Sequence, residues 1–107
     1  MVAPYFQVQK PVRNEQILVG LTVVKAAESR DYLQPREMIT IANNSATKGT
    51  DLIYIFFGSA GQASTTAWVL DIGDSITDAT DGGYICGQDV ITAICATANG
   101  KLNIIER

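Results

Sequence analysis

Asp71, Asp74, Asp78, Asp81 and Asp89 fall within one segment and are the densest set of side chains here that could do chemistry. Converging carboxylates can ligate calcium, and a suitably spaced pair can hydrolyse a glycosidic bond. Neither pattern is complete. The alternating aspartates and terminal glutamate of an EF-hand are missing, and nothing singles out one acid–base pair. Aspartates in turns cap backbone amides without any ion, and that is the better reading.

Other catalytic constellations fail on composition. The chain of 107 residues contains no histidine. That removes Ser-His-Asp and Cys-His catalysis and the commonest transition-metal ligand. Cys86 and Cys95 cannot complete a structural zinc site without histidine. They read as two small buried hydrophobes rather than a disulfide. The Gly58-Ser-Ala-Gly61 stretch lacks the following glycine and the helix of a nucleotide-binding loop and reads as a tight turn. A net charge of −3 and no cluster of Lys and Arg argue against a nucleic-acid partner. No enzymatic activity, cofactor or metal is therefore expected.

The elements that would position any site have a hydrophobic period of two. Runs rich in Val, Ile, Thr and aromatics predict strands over 16–25, 38–42, 52–57, 67–72, 84–86, 90–97 and 102–105, with a short one at 5–8. Clusters of Gly, Asn, Asp and Ser separate them. This spacing predicts an all-β fold of about seven or eight strands: an antiparallel β-sandwich, jelly-roll-like, or a small barrel. The one helix-like stretch, 26–33, is short and stopped by Pro35, so a loop is expected there. Residues 1–15, with Pro4 and Pro11, are expected to form an N-terminal arm or edge segment, and 16–107 a single domain. The Asn99-Gly100 pair predicts a type I′ hairpin joining the last two strands. Cys95 would then face Ile104, and Ile94 would lie beside Ile105.

The apolar surplus points to binding. A sandwich strand shows one face to the core and one to water. Residues 52–57 are apolar on both faces, and 17–24 nearly so. A neighbouring subunit is favoured over a loop of the same chain as the cover. Alternate residues diverge, so either Leu52, Tyr54 and Phe56 or Ile53, Ile55 and Phe57 face outward. The interface candidates are Tyr5, Phe6, Leu52, Tyr54, Phe56, Ile94 and Ile105. A closed homo-oligomer, a trimer at a three-fold axis, is the expected assembly. The longest apolar run is too short for a signal peptide or a membrane span, so assembly in the cytoplasm, with no membrane partner, is expected.

An ordered set of residues resembles a known family. It runs from Arg36 through Met38-Ile-Thr-Ile41 and Asn43-Asn-Ser45 to Ile53-Tyr-Ile55, Phe57-Gly58 and Ala63-Ser64. Leu70, Gly73, Gly87 and Ala93-Ile94 follow, and Leu102, Ile104 and Glu106 close it. The set is similar to small β structural proteins of tailed bacteriophages and prophages, and it covers residues 36 to 107. The resemblance implies a virion component without enzymatic activity, a capsid decoration or cement protein. Such a protein would bind the major capsid protein on the head surface after assembly in the host cytoplasm. A tail, head-fibre or baseplate module is the alternative of the same class. A carbohydrate-binding module, with Trp68, Tyr32 and Tyr84 as its aromatic platform, is the rival of another class.

Overall fold

Alternation of buried and open side chains along each apolar run sets the architecture. The computed structural model describes residues 13–31, 33–58, 61–64 and 66–107. Tyr5, Phe6 and Tyr32 lie outside them. Eight strands form: β1 (Arg13–Val19), β2 (Val24–Ala27), β3 (Met38–Asn43), β4 (Ile53–Phe57), β5 (Trp68–Leu70), β6 (Ser75–Ala79), β7 (Ile91–Cys95) and β8 (Gly100–Glu106). No helix occurs among the described residues.

The strands make two four-stranded antiparallel sheets, ordered β1-β8-β3-β6 and β2-β7-β4-β5. The first strand pairs with the last, the second with the seventh, the third with the sixth, and the fourth with the fifth. The chain is thus one long antiparallel hairpin rolled up so that β8 also meets β3 and β7 also meets β4. That is a jelly-roll sandwich. Val19, Ile39, Ile41, Leu102 and Ile104 of the first sheet pack against Ile53, Ile55, Leu70, Ile91, Ala93 and Cys95 of the second. Each large aliphatic side chain so buried contributes about 1.5–3 kcal/mol.

Four expectations change. The run 16–25 is two strands in different sheets, because the chain turns a corner between Val19 and Val24, where the Gly20 carbonyl accepts the Cys95 N–H at 2.8 Å. Its apolar residues therefore need no cover on a second face, and Leu18 and Leu21 are simply exposed. Residues 84–86 form no strand. Tyr84 makes an isolated bridge to Asp81, and the strand that pairs with β3 is β6. Within 26–33, Ala26 and Ala27 belong to β2, which carries a register shift after Lys25. At the other boundary, Arg13, Asn14 and Glu15 pair with Glu106, Ile105 and Ile104, so the sandwich includes residues assigned to the arm.

The predicted terminal hairpin does not form, since β7 and β8 lie in different sheets. A type I′ turn needs positive φ at both central residues, and neither Asn99 nor Gly100 has it. Gly100 answers a close approach instead. A Cβ there would stand 2.6 Å from the Val19 carbonyl oxygen and 2.8 Å from Cys95 Sγ. Cys95 consequently does not face Ile104, and Ile94 and Ile105 lie in opposite sheets.

Candidate interaction surface

The two outer faces of the sandwich differ in chemistry. Directly paired residues share a face, so the outer set follows from the register. On the β1-β8-β3-β6 sheet it is polar. Gln16 Nε2 donates to Asn103 Oδ1 at 3.1 Å, and the Thr40 and Thr77 hydroxyls lie 2.9 Å apart. Leu18 and Ile105 are exposed there, separated by the Gln16–Asn103 pair.

On the β2-β7-β4-β5 sheet the outer set is apolar along β4 and β5 and turns polar at Thr92 of β7 and Lys25 of β2. Tyr54 sits between Val69 of β5 and Ile94 of β7, and Phe56 lies opposite Thr92. Of the two predicted alternatives, Tyr54 and Phe56 face outward while Ile53 and Ile55 are buried. Leu52 is half-buried just before β4. The chain covers one end of this face itself. Ala63 is buried with its N–H donating to Thr92 Oγ1 at 2.8 Å, and a Cβ on Gly61 would lie 3.2 Å from Phe56 Cζ. A strip of Tyr54, Val69 and Ile94 remains. Of the predicted interface residues, Leu52, Tyr54, Phe56 and Ile94 therefore gather on one sheet, whereas Ile105 is on the other. Val69 went unrecognised, although its place in the 67–72 run on the face opposite Trp68, Leu70 and Ile72 could have found it.

Several residues of the ordered set from Arg36 to Glu106 hold the ends of the sandwich. At one end the Arg36 guanidinium donates from Nε to Glu106 Oε2 at 2.7 Å, from Nη1 to the Gly87 carbonyl at 2.7 Å and from Nη2 to the Glu28 carbonyl at 2.8 Å. Arg30 reaches the same carboxyl at 3.2 Å and Arg13 at 3.5 Å. The Gln88 side chain clamps the Arg36 backbone, accepting its N–H and donating to its carbonyl. Burial pushes the Glu106 carboxyl up, but hydrogen bonds from Arg36 and Arg30 and their charges outweigh it and hold the group below its ordinary value. At the other end Asn43 Nδ2 donates to the carbonyls of Asp51 and Leu70 at 2.9 and 2.8 Å, while its Oδ1 accepts the Ser45 N–H.

Beside the arginine cluster a groove of about 500 Å³ opens between the sheets, bordered by Phe57, Ile76, Asp78, Tyr84 and Ile91. The Tyr84 hydroxyl donates to Asp78 Oδ1 at 2.7 Å and the Gly87 N–H to Oδ2 at 3.0 Å. Burial pushes the Asp78 carboxyl up, yet these two donors win and keep it low, while Asp78 raises the Tyr84 phenol.

The remaining aspartates mostly cap backbone, as expected of turn residues. Asp71 Oδ1 accepts the N–H groups of Gly49 and Ile72, and Asp74 accepts that of Asp71. No group of three metal-ligating side chains occurs among the described residues. Cys86 and Cys95 are both buried and form no disulfide. Burial, aided by the Asp78 charge, pushes the Cys86 thiol up to about 11.

No protein-family model matches the chain. No curated protein matches it either. A solved structure described as "Bacillus endospore appendages form a novel family of disulfide-linked pili" aligns at 16% identity with a TM-score of 0.44, covering 92% of this chain and 86% of that one. The fold assignment rests on the strand pairing described above.

Proposed function

We propose that this protein is a non-enzymatic structural subunit that decorates and cements the head of a tailed bacteriophage. The asymmetry of the two outer faces carries this reading. One sheet is polar outside, while the other presents the Tyr54–Val69–Ile94 strip. Apolar side chains left on one face of a small rigid domain suit docking to a second protein surface. The phage-like pattern from Arg36 to Glu106 supplies the kind of assembly. The major capsid protein is the partner, and a trimer bridging neighbouring capsid subunits is the arrangement. A ligand that binds only the intact shell raises the free energy needed to open it.

The test compares the heat resistance of particles assembled with the full chain, without it, and with residues 1–12 deleted. Particles with the protein should survive heating that opens bare ones, and electron microscopy should place it on the head. Equal robustness with the protein located on the tail overturns the cement reading in favour of the tail or fibre alternative.

A further inference from the structure

The inward faces of the two sheets run out before they meet at one end of the sandwich. Ile53 and Ile55 of β4 are fully buried, but the next residue of the same inward set, Phe57, is 39% exposed. Trp68 pairs with Ile55 and so stands diagonally beside Phe57 on that face, yet it is 63% exposed. Across the gap, Ile76 and Asp78 of β6 pair with the buried Ile41 and Ile39, so they also point inward. Tyr84, 56% exposed, closes the far side through its bond to Asp78. Phe57, a core-facing side chain without a core over it, and Tyr84 form the aromatic walls of the groove, and Trp68 lies beyond its lining.

The groove's charge and size limit what can fill it. Its neighbouring cation, Arg36, is committed to Glu106 and to backbone carbonyls, so it offers little to an anion. Asp78 stays ionised and repels phosphates and carboxylates. Each of its oxygens accepts one protein donor, which leaves acceptor capacity for further donors. The volume of about 500 Å³ lies within the 300–1,000 Å³ of small-molecule sites with mostly apolar walls and few polar groups. One lysine or arginine side chain from a partner would leave most of it empty. A sugar ring suits both features, with a C–H face for an aromatic wall and hydroxyl donors for a fixed carboxylate.

We propose that this groove binds a neutral saccharide, with Tyr84 and Phe57 against its ring faces and Asp78 accepting its hydroxyls. The site is separate from the Tyr54–Val69–Ile94 strip, so either can fail without the other.

The experiment titrates the isotope-labelled full chain with maltotriose, cellotriose, mannotriose and tri-N-acetylchitotriose, following backbone amide shifts and Trp68 fluorescence. Spermidine and a trigalacturonate serve as cationic and anionic probes. At least one neutral trisaccharide should shift Phe57, Asp78, Tyr84 and Gly87 saturably, with a Kd of about 1 mM or tighter. Tyr84→Ala and Asp78→Asn should each weaken it by about tenfold, a loss of about 1.4 kcal/mol, and Val69→Lys should leave it unchanged. Tyr84 is exposed, so a dispersed spectrum will show that its variant is folded. Saturable shifts with spermidine or trigalacturonate alone, or with none of the probes, overturn the proposal, and the wild-type titration decides this even if a variant misfolds.

Discussion

Arg36 Nε lies 2.7 Å from Glu106 Oε2 across 70 residues of sequence, and both side chains are buried. Arg36 precedes β3 and Glu106 ends β8, the paired strands at the centre of one sheet. The pair closes one end of the sandwich, where Arg36 also donates to the carbonyls of Glu28 and Gly87.

Breaking this pair from one side should be severe. Arg36→Met strips Glu106 of its nearest counter-charge and should cost about 3–5 kcal/mol. Arg36→Met with Glu106→Leu should cost less than the sum of the two single changes, because no uncompensated charge remains. Urea denaturation of the four proteins measures this, and strict additivity would contradict it.

The same carboxyl predicts an acid limb. Glu106 is held below its ordinary value of 4.5 in the folded state. A depressed folded value means the stabilisation is fully present above the unfolded value and is lost as pH falls through the folded one. Thermal melts should show Tm falling below about pH 4.5. Glu106→Gln should be less stable at pH 7 but lose less of its stability on acidification.

Sequence patterning revealed the sandwich and that alternate residues of 52–57 take opposite faces, because side chains along a strand alternate, but it left open which set points outward. It did not reveal which runs share a sheet. Residues 16–25 and the Asn99-Gly100 connection both cross from one sheet to the other, and local propensity carries no information about such corners. The Ser75-Ile-Thr-Asp-Ala79 strand was hidden by its polar composition. It is an edge strand, and Asp78 faces inward only because the opposing sheet stops short there. Arg36 and Glu106 were visible as members of a pattern, but their burial depends on long-range pairing.

Gly100 should tolerate no side chain. Ala at this position would push Cβ to within 2.6 Å of the Val19 carbonyl oxygen and 2.9 Å of Cys95 Cβ. Overpacking of this kind costs about 1–3 kcal/mol, which in a domain of this size lowers Tm by about 4–8 °C per kcal/mol. Calorimetry of Gly100→Ala checks it. A melt unchanged from wild type would show that β1 and β8 can separate locally at no cost.

Cys86 should be inert in the native protein. Its thiol, buried and facing the Asp78 carbonyl at 3.3 Å, is pushed up to about 11, so the reactive thiolate is scarce at neutral pH. Mass spectrometry after brief iodoacetamide treatment at pH 8 should find Cys86 unmodified, and both cysteines modified once urea is added. Rapid native alkylation of Cys86 would mean that the 80–89 segment opens readily.

Val69 and Ile105 offer a matched comparison of the two outer faces. Both are apolar, both sit on strands, and they are 46% and 41% exposed. A lysine at either place should change the stability of the isolated domain by no more than about 0.5 kcal/mol, as for surface substitutions generally. Their effects on assembly should differ. Val69 adjoins Tyr54 on the apolar strip, whereas Ile105 lies between Asn14 and Thr40 on the polar sheet. Val69→Lys should therefore reduce oligomer mass in light scattering and abolish attachment to particles, while Ile105→Lys should preserve both. The reverse outcome would move the docking surface to the β1-β8-β3-β6 sheet, and attachment by both variants would exclude either outer face as the site of contact.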